Sequence, residues 1–311
     1  MSKKKYNRPK GNRGRRGKKF KKSKKEEESE KKSKELKNVE KELNNFNKLT
    51  DIPIEKIVDI NGYAYNIAKN SDEININQIR KFFSVLRLAE RSENWETYFF
   101  RFKAELTISY TRNLISIDFY RIIINLINKV NNCNEKEQYQ NFKFFVVFFE
   151  SIVAYHKLLF ADQDKIKKFN SKFKGLNIIK NELNEIKDLS KLTSTEITDD
   201  NGYASRISSN LEDLSNNQLR KFFNYIRLMD KKDKWEKIET DFFLLKPQLA
   251  VATGRTIIPQ SFFDLMNILM DKVNKGNNQK KYENFKSFVR LYESIISYHK
   301  FNDKKNNFET E

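Results

Sequence analysis

Apolar residues in this chain recur at intervals of three and four, the spacing of helices that bury one face. From Asn77 to Arg91, at roughly 100° per residue, Ile79, Phe82, Phe83, Val85, Leu86 and Ala89 fall on one broad arc. Arg80, Arg87 and Arg91 fall within about 40° of one another on the opposite side. Trp95, Phe99, Phe102 and Leu106 predict a second helix, and Phe119, Ile122, Ile123, Leu126, Ile127 and Val130 a third. The longest begins near Glu135 and runs through Phe142, Phe145, Phe149, Ile152, Val153 and His156 to Phe160. With the segment from Ile54 to Ala68, that makes about five helices. No stretch alternates polar and apolar residues in the manner of a strand, so the pattern predicts an all-α bundle.

The pattern then repeats. Asn61-Gly62-Tyr63-Ala64 returns as Asn201-Gly202-Tyr203-Ala204, and Gln78-Ile79-Arg80-Lys81-Phe82-Phe83 returns as Gln218-Leu219-Arg220-Lys221-Phe222-Phe223, both shifted by 140 residues, as are Trp95 and Trp235. The block Tyr139 to Lys157 returns from Tyr282 to Lys300 with a shift of 143 and twelve of nineteen identities, so three residues entered between Trp235 and Lys246. A period this long is a whole small domain rather than a solenoid unit. The expected organisation is two tandem helical bundles of about five helices each after a disordered basic tail. The tail covers residues 1–34, copy one 35–160, a partly helical linker 161–184, copy two 185–301, and a C-terminal tail 302–311.

Charge separates the tail from the body. The chain carries +19 over 311 residues, but fourteen Lys or Arg and no acid lie between Lys3 and Lys25, leaving 47 basic against 42 acidic residues from Glu26 onward. Such a block, nearly without apolar side chains, is expected to be a mobile polycation whose usual partner is nucleic acid. No run of apolar residues suits a spanning helix or a secretory segment, so a cytoplasmic protein with no membrane partner is expected. One cysteine, Cys133, and two histidines are too few for a disulfide or a Cys/His metal site, and no metal or cofactor is expected.

The arginine stripe is the main candidate for chemistry. It recurs as Arg220, Arg227 and Lys231, with Lys81 and Lys221 alongside. Guanidinium groups one or two helical turns apart can each grip a phosphate oxygen without reading sequence, although a stripe of this kind is also what a solvated helix face looks like. Arg112 and Arg255 occupy corresponding loops, and Lys103 with Lys246, and Lys129 with Lys272, match as well. His156 and His299 each follow a tyrosine on an apolar stripe, where a hydrogen-bonded structural role is expected rather than a general base. Cys133 aligns with Gly276, and Gly62 and Gly202 stand alone as helix breaks rather than as a phosphate loop. Nothing assembles a catalytic site, and no enzyme is expected.

The blocks Gln78 to Phe83, Asn141-Phe142-Lys143 and Glu150-Ser151-Ile152-Val153-Ala154-Tyr155-His156-Lys157 resemble the small subunit of the type III-A CRISPR effector, the Csm complex. Glu293 to Lys300 repeats the last motif, and the run Lys246 to Leu249 with Ala250, Ala252 and Arg255 is similar to the family's middle helix. Serine replaces the alanine of the Glu-Ala pair in both copies, at Ser151 and Ser294, and two bundles are fused where the family normally has one. The resemblance implies a non-catalytic subunit that binds CRISPR RNA and target RNA, contacts other subunits of the effector, and stacks on itself in a minor filament. RNA cleavage and signalling then belong to other subunits. The candidate RNA contacts are Arg80, Lys81, Arg87, Arg91, Lys103, Arg112, Arg220, Lys221, Arg227, Lys231, Lys246 and Arg255. The same features also suit a helical scaffold that touches only protein, with a tail that attracts nucleic acid nonspecifically.

Overall fold

A computed structural model describes residues 24–173 and 175–308. The first helix, α1 (Lys24–Leu43), begins inside the stretch expected to be a disordered tail. Leu36, Val39 and Leu43 form its buried edge, while Lys32 reaches Asp72 at 2.8 Å and the Ser33 hydroxyl donates to Asp118 at 2.5 Å. The tail expectation therefore fails from residue 24 to residue 34, because an anchored apolar edge further along draws the helix back through the acidic run. Residues 1–23, which hold most of the basic block, lie outside the described residues.

Copy one continues as α2 (Ile54–Val58), α3 (Tyr63–Lys69), α4 (Ile76–Glu90), α5 (Trp95–Thr111), α6 (Ile117–Asn131) and α7 (Glu135–Leu159). The single helix expected over Ile54 to Ala68 is two. Asn61 takes φ 70°, and a Cβ on Gly62 would lie 2.6 Å from the Lys56 carbonyl oxygen, so the chain reverses where only glycine fits. α7 is the central post. The Tyr155 hydroxyl donates to the Val58 carbonyl, and the Asn141 side chain accepts from the Leu49 amide at 2.8 Å. Edge-to-face contacts link Phe82, Phe102, Phe145 and Phe149 at centroid separations of 5.2 to 6.5 Å, each worth about 1 kcal/mol beyond simple burial.

A short α8 (Gln163–Asn170) leads to copy two: α9 (Leu176–Glu185), α10 (Ser194–Thr198), α11 (Tyr203–Ser209), α12 (Asn216–Asp230), α13 (Trp235–Phe243), α14 (Leu245–Gly254), α15 (Gln260–Val273) and α16 (Asn278–Phe308). Leu176, Ile179 and Leu183 of α9 stand 140 residues after Leu36, Val39 and Leu43, and α9 packs on α15 as α1 packs on α6. The second unit thus starts at α9, within the stretch expected to be linker. α16 runs on through residues 302–308, which were expected to be tail. Tyr298 donates to the Thr198 carbonyl at 2.6 Å and Asn284 accepts from the Ser190 amide at 3.0 Å, reproducing the Tyr155 and Asn141 contacts. All regular structure among the described residues is helical.

The copies differ at one element. α5 is continuous, whereas its counterpart breaks at Leu244 into α13 and α14. Three inserted residues precede the break, and Pro247 can neither donate to the Phe243 carbonyl nor clear it sterically. α14 keeps Leu249 and Ala252 in its own core, as α5 keeps Leu106 and Ser109, and lays its other side on α7 of copy one. In this joint a Cβ on Gly254 would meet the Lys157 carbonyl oxygen at 2.6 Å, so the helices approach at backbone distance.

Candidate nucleic-acid interface

The stripe on α4 and α12 is exposed where the pattern placed it. Arg80, Lys81, Arg91, Arg220, Lys221, Arg227 and Lys231 are exposed, and Arg87 is half-buried. The two copies present it differently. In copy one the Arg87 guanidinium bonds Glu90 at 2.6 Å and lies over the Phe83 ring, and Lys81 sits 3.7 Å from Glu105. In copy two Gln248 replaces Glu105, and Asp230, the counterpart of Glu90, is held by Lys286 at 2.7 Å. Arg227 lies over Phe223, and no carboxylate among the described residues pairs with Arg220, Lys221, Arg227 or Lys231. Four cations on α12 are thereby left for an external anion, against two on α4.

Arg112 and Arg255 are exposed and end α5 and α14, each followed by a left-handed residue, Asn113 at φ 55° and Thr256 at φ 54°. Lysines that look equivalent in sequence part ways. Lys103 is half-buried, whereas Lys246 is 2% exposed and its ammonium lies between Asp59 of copy one and Asp271 of copy two. Burial raises the Asp59 carboxyl above its ordinary pKa despite the opposing pull of Lys246. An ammonium this buried and already paired with two carboxylates inside the joint is closed to phosphate, so Lys246 is a lock between the copies. Lys129 and Lys272 are also committed, donating to the carbonyls of Phe46 and Ile186, and desolvation lowers both their pKa values.

His299 is hydrogen bonded as expected, to Asn216 at 3.1 Å and the Leu211 carbonyl at 3.0 Å. His156 is equally buried beside the Ser71 and Ile74 main chain, but neither ring nitrogen has a well-formed hydrogen bond, and burial lowers its pKa. Among the described residues no cluster of His, Cys, Asp or Glu could hold a metal ion, and no single helix is long and apolar enough to cross a membrane.

One basic residue that the stripe argument passed over is Lys157, in the last turn of α7. It recurs as Lys300 inside the Tyr-His-Lys motif, which was the available signal. Between α7, α12 and α14 lies a cavity of about 220 Å³ lined by Glu150, Ala154, Lys221, Tyr225, Pro247 and Arg255 among others. Lys221 and Arg255 thus share one wall system. Burial raises the pKa of Glu150 there.

The family described as Csm2 Type III-A matches this chain twice, over residues 54–162 and 194–305. No curated protein and no solved structure matches it. The two matched regions span well over half of the 311 residues and take in the repeated helices α2–α7 and α10–α16. The chain belongs to the Csm2 family, the small subunits of the type III-A CRISPR effector complex, and carries that subunit twice in tandem.

Proposed function

We propose that this chain is a double, non-catalytic small subunit that fills two successive places in the stack of small subunits and holds RNA by its backbone. The joint between the copies is the observation that carries this reading. It uses α7 of copy one and the outer side of α14 of copy two, two different surfaces, and a contact of that kind can be repeated from chain to chain. The corresponding surfaces are unpartnered: α5 offers Ala104, Ile108 and Thr111, with Ile108 49% exposed, and α16 offers Ser297 and Phe301, with Phe301 63% exposed. Stacked in the same register, Lys103 of one chain would face Asp199 of the next, as Lys246 faces Asp59 within the chain. RNA would run along the exposed stripes. Backbone contacts suffice there, because base pairing between guide and target supplies the sequence selection.

The RNA part is tested on the assembled complex with Arg220→Ala plus Arg227→Ala, two exposed residues without carboxylate partners. RNA retention is expected to fall about tenfold with an unchanged melting temperature. Retention equal to wild type would contradict the assignment.

A further inference from the structure

The joint gathers cations that neither copy could gather alone. Lys157 is half-buried at the end of α7, and Gly254 rests on its carbonyl, which brings the next residue, Arg255, beside it. His156 lies beside the main chain of Ser71 and Ile74, just ahead of α4, and Phe82 further along α4 meets Phe149 at 6.5 Å, so the first turns of α4 lie toward the end of α7 and bring the exposed Arg80 to the Lys157 side. After the effect of burial, the charges of Arg80 and Arg255 depress the Lys157 pKa, Lys165 adds to them, and only Asp162 opposes them. No carboxylate among the described residues forms an ion pair with Arg80, Lys157 or Arg255. The carbonyl ends of α7 and α14 explain why each tolerates one cation, but not why three converge.

We propose that Arg80, Lys157 and Arg255 form one phosphodiester-binding site, built jointly by the two copies, that grips the RNA backbone where it passes from one bundle to the next. The proposal rests on the RNA-holding reading above. It adds that the fused joint itself is a contact point, with α14 seated on α7 so that a guanidinium from each copy flanks one ammonium. The matching residues Arg112, Arg220 and Lys300 belong to surfaces the joint does not unite, so one chain has one such site.

The test is a salt titration of a single-stranded oligoribonucleotide on the full chain, with Arg80→Ala, Lys157→Gln and Arg255→Ala made singly and together, and melting temperatures checked. If the three share one phosphate, each single change weakens binding about fivefold and the triple variant loses little more than the worst pair. The slope of log affinity against log salt falls by about 0.7, the value of one phosphate on a single strand. An unchanged triple variant, or three losses that multiply with a slope change of roughly 2, would overturn the shared site. Arg220→Ala plus Arg227→Ala serves as the reference: a loss there without one at the joint refutes only this site. No RNA binding by the wild-type chain refutes the RNA reading as well.

Discussion

Lys103 and Lys246 show how far a residue's role depends on what folds against it. They align and share a type, yet one stays half-buried and unbridged and the other becomes a buried bridge between Asp59 and Asp271. The sequence contains all three residues of the bridge, but Asp59 lies in the other copy and nothing in the local pattern points to it. The stripe arginines were readable because helical phase alone decides their exposure. Their pairing was not, since Arg87 depends on Glu90 staying free, and in copy two Lys286 takes the corresponding Asp230. The buried bridge makes a sharp prediction. Lys246→Ala and Lys246→Met both leave Asp59 half-buried without its cation, so each should cost roughly 3 kcal/mol in denaturant unfolding, Met only a little less than Ala because it still fills the space. A Met variant as stable as the wild type would mean that packing, and not the ion triad, is what matters at this position.

Among the elements, the split of the fifth helix into α13 and α14 matters most. Both causes stand in the sequence, the three added residues and Pro247, and the register of the repeat reveals the insertion. Where the freed half-helix goes could not be read, because α14 keeps the same inward residues as α5 and only its outer side changes partner. Gly254, against the Lys157 and Leu158 backbone, permits that partner to come close. Gly254→Val should therefore force α14 off α7 and destabilise the chain by about 2 kcal/mol. Hydrogen exchange would report it as faster opening in α14 and the last turns of α7, with α11 and α16 unaffected. Uniform loosening of both bundles would place the contact elsewhere. The first helix of copy one escaped the pattern for a simpler reason. Only Leu36, Val39 and Leu43 form a buried edge in a strongly charged background, whereas its counterpart α9 was expected to be helical but was placed in the linker.

For the molecule as a whole, the tandem organisation and the all-helical class were readable because two blocks of identity kept their order and spacing over 140 residues. The fit of one copy on the other was not readable, and the account of function turns on that fit. A joint made of two different surfaces, with matching surfaces left open on α5 and α16, describes a unit of two that can continue. The most direct measurement is the structure and subunit count of the assembled type III-A effector purified with this chain at full length. The account predicts that each chain occupies two neighbouring small-subunit places, with copies one and two alternating along the stack and α5 of one chain facing α16 of the next. Chains that contribute a single bundle to the stack, or that sit side by side with the α5 and α16 surfaces facing solvent, would contradict it.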